Sequence, residues 1–330
     1  MGPGEDNERR EAWSSYWSSG RLHSCASGDQ DNYGGAIAQF WRTFLERLPP
    51  PARLLDLATG NGPLPRLVWE LHKDAADIDA VDLADVAPAW HSPSLHRGVR
   101  FHRSVRLEAL PFADASFDGA MSQFGFEYAR RAPALAECLR VLRPRAPIAL
   151  VMHHAGSVLV AVGREELEHH GWLAGDDGLV EAARGVIPWL AQARAGIPAG
   201  EAERAARARA RYNAAMQALA ERAQQSTAPD LLLEARQAVH GLVARVPAAG
   251  AEATLQSLDA YAGELARARL RTAEMVSHAL DAAQLEDLRE RLLSARPGQA
   301  VDCSELRQAE GVVAWSLVCA PSDADEGVIA

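Results

Sequence analysis

The sequence predicts an α/β fold: a sheet of parallel strands covered by helices, finished by an antiparallel hairpin and interrupted by a large helical insertion after the fifth strand. Three observations predict it. Between residues 53 and 154, five short apolar segments alternate with helix-like ones, the order expected of a sheet buried on both faces. From about residue 162 the chain turns rich in Ala, Arg, Glu and Leu and loses strand character. Strand character then returns at Gln299 to Arg307 and Val312 to Ala320, two segments that a turn at Gln308 to Gly311 folds back on each other.

Taken in order, residues 1–12 are Gly/Pro-rich and then charged, and read as disordered. Residues 13–48 concentrate aromatics (Trp13, Tyr16, Trp17, Tyr33, Phe40, Trp41, Phe44), with helical spacing from Tyr33 to Leu48 that stops at Pro49-Pro50-Pro51. The first strand is Arg53 to Leu57, and a helix follows over Pro65 to His72. Ala76 to Asp82, Val99 to Arg103, Gly119 to Gln123 and Pro147 to His153 are the next four strands, with a helix over Pro133 to Leu142 before the last. In the insertion, helices are expected over 165–170, 179–195, 201–225, 231–246 and 251–280, the last as one long helix or a kinked pair, and a further helix over 283–294. If the hairpin joins the main sheet, the segments are a cap at 1–48, a core at 49–161, an insertion at 162–281 serving as lid or dimerisation surface, the last helix and hairpin at 282–320, and a tail at 321–330.

Composition narrows the function. The net charge of −10 over 330 residues argues against nucleic acid as the main partner, and the arginine-rich run Glu201 to Arg211 reads as a solvated helix face. Cys25, Cys138, Cys303 and Cys319 are far apart with no CxxC pair, which suits a reducing compartment and offers no metal framework. Residues 1–11 have no apolar run of the secretory type, and Ile148 to Met152 is too short to cross a bilayer, so a cytoplasmic protein is expected.

The chemistry concentrates at Leu54-Leu55-Asp56-Leu57-Ala58-Thr59-Gly60-Asn61-Gly62, a buried strand running into a glycine turn. Glycines there let the backbone pass close to a ligand. Asp82, at the end of the next strand and about twenty residues on, is placed to receive ribose hydroxyls in the crevice at the strand ends. A nicotinamide dinucleotide would want a G-x-G-x-x-G turn for its pyrophosphate, which Ala58 to Pro63 does not spell.

These residues resemble motif I of the class I S-adenosylmethionine-dependent methyltransferases, as Asp56, Ala58, Gly60 and Gly62. Ala80-Val81-Asp82-Leu83 resembles the family's second-strand motif, Leu110-Pro111-Phe112 through Ser116-Phe117-Asp118 its approach to the fourth strand, and Arg140-Val141-Leu142-Arg143-Pro144 its approach to the fifth. The resemblance covers roughly residues 33–154 and the hairpin. It implies a Rossmann-like seven-stranded mixed sheet, S-adenosyl-L-methionine as cofactor with S-adenosyl-L-homocysteine as product, and cofactor contacts from Tyr33, Asp56, Ala58, Thr59, Gly60, Gly62, Asp82, Leu83 and Gln123. The acid that relatives carry before the Leu-Pro-Phe passage falls near Arg106 or Ser104 here, leaving adenine to backbone groups or Glu108.

The implied reaction is in-line methyl transfer to a small organic molecule, with a hydroxyl or phenol oxygen ahead of nitrogen. The alternatives are a protein or lipid-like quinone acceptor, or a catalytically silent relative that binds a partner. A hydroxyl acceptor must lose a proton, and the candidates to take it are His153 and His154 at the end of the fifth strand, and Glu127 after the fourth. Each also has a plain reading, Glu127 as a helix N-terminal acid and the histidines as structural hydrogen-bonding groups. The N-terminal aromatic segment, including His23-Ser24-Cys25, is expected to fold over the cofactor; Cys25 has no neighbouring base. A homodimer through the insertion is the remaining partner expectation.

Overall fold

The structure is a computed structural model that describes residues 3–24, 32–48, 50–193 and 196–322. Cys25 and residues 323–330 of the expected tail lie outside them. Two compact units divide the chain, one made of residues 1–160 and 274–330, the other of 161–273.

The first unit opens with α1 (Pro3–Ser18), which corrects the expectation of disorder over residues 1–12. This helix has no apolar stripe: among its described residues Ala12 is the one fully buried hydrophobic, with Trp13, Tyr16 and Trp17 half-buried. Polar contacts described below hold it instead, which is why periodicity did not reveal it. After α2 (Gly35–Glu46) come β1 (Arg53–Leu57), α3 (Pro63–His72), β2 (Asp77–Val81), β3 (Val99–His102), β4 (Gly119–Gln123), α4 (Arg131–Val141) and β5 (Ile148–Met152). Helices α5 (Val158–Ala174), α6 (Leu179–Gln192), α7 (Ala202–Gln225), α8 (Asp230–Ala249) and α9 (Ala251–His278) follow, with α9 one continuous helix. The chain returns through α10 (Ala282–Ala295), β6 (Gln299–Gln308) and β7 (Gly311–Pro321).

All seven strands form one Rossmann-like sheet in the order β3-β2-β1-β4-β5-β7-β6. The first five pair in parallel, while β7 runs antiparallel to both β5 and β6, so the hairpin does join the main sheet. Alternation along the strands builds two cores. Leu55, Leu57, Leu150 and Met152 pack on one face with α4 and α10, and Leu54, Met121, Ala149 and Val151 on the other with α2 and α3. The second unit has a core of its own, in which Val186 and Ile187 of α6 join Leu219 of α7, Val239 of α8 and Leu258 of α9.

The strand order reverses between β1 and β4. In an open α/β sheet a ligand crevice forms at that point, outside the carboxyl ends of the strands. Among the described residues no helix is long and apolar enough to cross a membrane.

Candidate cofactor crevice

The crevice is built by tight backbone geometry at the ends of β1 and β4. After β1, Ala58 and Gly60 take left-handed φ values of 55° each, and Gly62, at φ 74°, caps α3, whose first residue is Pro63. A Cβ at Gly60 would come within 2.5 Å of the Trp17 ring, and one at Gly62 within 2.6 Å of Phe101. After β4, Phe124 is also left-handed (φ 52°), and a Cβ on Gly125 would strike that of Ala58 at 2.4 Å. Ser122 staples the two ends together: its hydroxyl donates to the Leu57 carbonyl at 2.8 Å and accepts the Phe126 N–H at 3.1 Å.

Asp82 anchors the middle. Its Oδ2 accepts the Gly60 N–H and its Oδ1 the Ala84 N–H, each at 2.7 Å. Burial pushes its carboxyl up to about 6 against the pull of these two donors. Behind it Asp56 is buried and pushed up to about 8, by burial foremost with the Asp82 charge adding to it, and its Oδ2 has no hydrogen-bond partner among the described residues. Gln123 accepts the Trp41 indole N–H at 2.5 Å through Oε1, which leaves its Nε2 donor without a partner.

Of the residues singled out from sequence, Tyr33, Ala58, Thr59, Gly60, Asp82, Leu83, Glu108 and Gln123 line one cleft. Asp56 and Gly62 lie behind its wall and shape the turn. The three acid–base candidates do not line it. Glu127 and His153 instead form a buried pair, in which Glu127 Oε1 accepts both the His153 backbone N–H at 2.8 Å and a contact from Nδ1 at 2.7 Å. The His153 ring stacks on Phe124, with centroids 4.2 Å apart, and meets the edge of Tyr128, so the pair stands one layer behind two residues of the cleft wall. His154 turns the other way, onto Trp315 and Glu305 of the hairpin.

The N-terminal aromatic segment was expected over the cofactor, and its Trp13 and Trp17 stand on the opposite wall; sequence reasoning missed that Asp6, Arg9 and Arg10 before them continue the same wall. Asp6, Arg9, Arg10, Trp13 and Trp17 of α1 all line the cleft, at spacings that place them on one helix face. Polar attachments hold the helix there. Arg9 pairs with Glu274 and donates to the Tyr128 carbonyl, Asp6 pairs with Arg106, and Asn61 Nδ2 donates to the carbonyls of Trp17 and Arg21. For Asp6, Arg9 and Arg10 the sequence signal was their three- and four-residue spacing from one another and from Trp13 and Trp17, in a stretch whose charge reads as disorder.

Comparison with known proteins agrees with the crevice. Residues 55–150 match the family model described as a methyltransferase domain. That match bears out, over residues 55–150, the resemblance to the class I S-adenosylmethionine-dependent methyltransferases. Relatives of this stretch include a malonyl-[acyl-carrier protein] O-methyltransferase of Methylococcus capsulatus, 36% identical over 106 residues, covering 29% of this chain and 35% of that protein. A ubiquinone/menaquinone biosynthesis C-methyltransferase of Dinoroseobacter shibae is 35% identical over 125 residues, covering 34% of this chain and 48% of that protein. A 2-phytyl-1,4-naphthoquinone methyltransferase of Synechocystis is 31% identical over 147 residues, covering 42% and 60% respectively. The chain thus spans between about a third and three fifths of the length of these relatives.

The donor set of the cleft fits S-adenosylmethionine. A buried carboxylate at a strand end suits two ribose hydroxyls, the close-approach glycine turn suits a ligand laid against backbone, and the unpartnered Gln123 Nε2 suits a carboxylate.

Proposed function

We propose that this chain transfers a methyl group from S-adenosylmethionine to a small organic acceptor, and that a lipid-like quinone in its reduced, hydroxyl-bearing form is favoured over a simple phenol. The observation that carries the transferase reading is Asp82, a buried carboxylate held by Gly60 and Ala84 across the mouth of the glycine turn. The acceptor reading draws on the names of the relatives, two of which act in quinone or naphthoquinone methylation. A hydroquinone has two kinds of nucleophilic atom, its hydroxyl oxygens and its ring carbons, and either can attack the methyl group.

The cofactor supplies an electrophilic methyl on a sulfonium, and the protein's work is placement and exclusion of water. Asp82 receives the ribose hydroxyls, Leu83 packs on the adenine, and Gln123 Nε2 donates to the methionine carboxylate. Phe124 and Tyr128 wall the reacting end. A hydroquinone gives up a proton as it is methylated at either atom. The Glu127–His153 pair is read as positioning for that wall, because the aromatic rings stand between it and the cleft.

The test is incubation with methyl-labelled S-adenosylmethionine and, in parallel, a demethylmenaquinol and a set of simple phenols. Label in the quinol product, at carbon or oxygen, is expected. Label confined to the phenols would return the acceptor to the simple-phenol class, and failure to bind S-adenosylhomocysteine would remove the transferase reading altogether.

A further inference from the structure

The cleft has two walls of different origin, and the second one reaches the end of the ligand that the sheet leaves unread. With the ribose read at Asp82 and the adenine at Leu83, the base would lie toward the stretch from Val105 to Glu108, which lines the same cleft. The exposed amino edge of an adenine is a hydrogen-bond donor and needs an acceptor there. At that end the sheet side offers Arg106, a cation, and Glu108, whose carboxylate already accepts the Arg130 N–H at 3.0 Å and stands 3.5–3.6 Å from the guanidinium groups of Arg130 and Arg106. Across the cleft from them stands Asp6 of α1, paired with Arg106 and keeping a side-chain exposure of 17%. An ionised carboxylate has about four lone-pair positions, so this pairing leaves room for a further donor.

The other end of the same helix face carries Trp17. Its ring lies so close to Gly60 that a single methyl group there would collide with it. Since a nucleoside cofactor must also approach this glycine, the helix and the ligand share one space. Trp17 is half-buried, and the rings packed on it are Trp13 and Tyr16 of its own helix, so its ring can shift without emptying the core of the sheet.

We propose that α1 is the second wall of the cofactor site, with Asp6 accepting the adenine amino group and Trp17 shifting off Gly60 as the ligand enters. The proposal rests on the reading of the cleft as an S-adenosylmethionine site and adds the residue that selects the base. It makes Asp6 a specificity-determining residue brought by a helix that precedes the sheet.

The experiment compares S-adenosylhomocysteine with S-inosylhomocysteine, in which a carbonyl replaces the amino group, by calorimetry on the full chain. The wild type is expected to prefer the adenosyl compound by about tenfold, the worth of one charge-assisted hydrogen bond. Asp6→Asn should close or reverse that preference, since its amide can donate to the carbonyl. Arg106→Ala should leave the preference in place while weakening both ligands alike. An unchanged ratio in Asp6→Asn overturns the proposal, whether or not both affinities fall, because a residue that merely holds α1 would affect both ligands equally. Tryptophan emission gives an independent readout. Saturation of the wild type with S-adenosylhomocysteine should change it, and Trp17→Phe should lose most of that change. No change in the wild type removes the movement of Trp17. If the wild type binds neither compound, the cofactor reading fails rather than the role of Asp6.

Discussion

Two carboxylates three residues apart, one on β2 and one just past its end, have opposite surroundings. Asp79, in the middle of β2, accepts from Arg53 at 2.8 Å, Arg100 at 2.9 Å and His102 at 2.8 Å. Burial works against its ionisation, yet the hydrogen bonds from Arg100, His102 and Arg53 hold it well below the usual carboxylate range. Asp82, just past the end of the strand, has two backbone N–H groups and no cation, and burial holds it above that range. The reason for the first is local: the link from β3 to β4, residues 103–118, forms no helix, so the side chains of β2 and β3 have to satisfy one another on that side. The lesson is that a buried acid saturated by the protein's own cations is architecture, whereas one left short of partners at a strand end is reserved for a ligand.

The sharpest way to break this contrast is Asp79→Ala. It leaves two guanidinium groups and an imidazole facing a gap, and should cost about 2–3 kcal/mol of stability, discounted for the partial exposure of the arginines. Denaturant titration should show it, with affinity for S-adenosylhomocysteine unchanged in the folded protein. A loss under about 0.5 kcal/mol would mean that solvent serves these cations as well as Asp79 does.

Asp82→Ala should do the reverse. Affinity for S-adenosylhomocysteine should fall at least about tenfold, or about 1.4 kcal/mol, while the fold is retained. Equal affinity by calorimetry would take Asp82 out of the site.

The pH dependence sharpens the contrast further. Asp56 and Asp82 have native values above those of the unfolded chain, so the native state binds more protons between about pH 4 and 8. Their contribution to stability is therefore full below about pH 4 and is lost as pH rises toward 6 for Asp82 and 8 for Asp56. Asp56→Asn should flatten the upper part of that slope in thermal melts recorded across the range. Cofactor affinity should move the opposite way, rising with pH through about 6 as Asp82 ionises to receive the ribose hydroxyls. A flat affinity profile between pH 5 and 7 would contradict the assignment.

The smallest effect concerns Glu127→Gln. It keeps the acceptor for the His153 N–H and changes the charge beside the ring, so turnover should stay within about threefold of wild type if the pair only positions the wall. A drop of about 10²-fold, with the pH–rate profile losing an ionisation, would make the pair an acid–base device instead.

Much of this site was legible in the chain. The glycine turn, Asp82, Leu83 and Gln123 announce themselves because strand ends and close-approach glycines leave local signatures. The hairpin was legible too, since two alternating segments about a short turn pair in few ways. The Glu127–His153 contact was not, although both residues stood out, because 26 positions separate them and only packing brings them together. Asp79 and its cations were invisible for the same reason. Helix α1 was lost for a different one: its polar face is held by ion pairs, and a charged, apolar-poor segment reads as disorder when its partners are a hundred or more residues away.

The position of β7 has a consequence for how the chain is made. It lies between β5 and β6, yet it follows both of them in the chain. While residues 161–273 are being synthesised, the apolar strand β5 waits with an open edge, and the second unit, with its own core, can fold during that interval. Completion of the sheet thus waits until the insertion and β6 have been made. Ribosome profiling paired with limited proteolysis of stalled chains should find residues 161–273 protected before the strands that precede them.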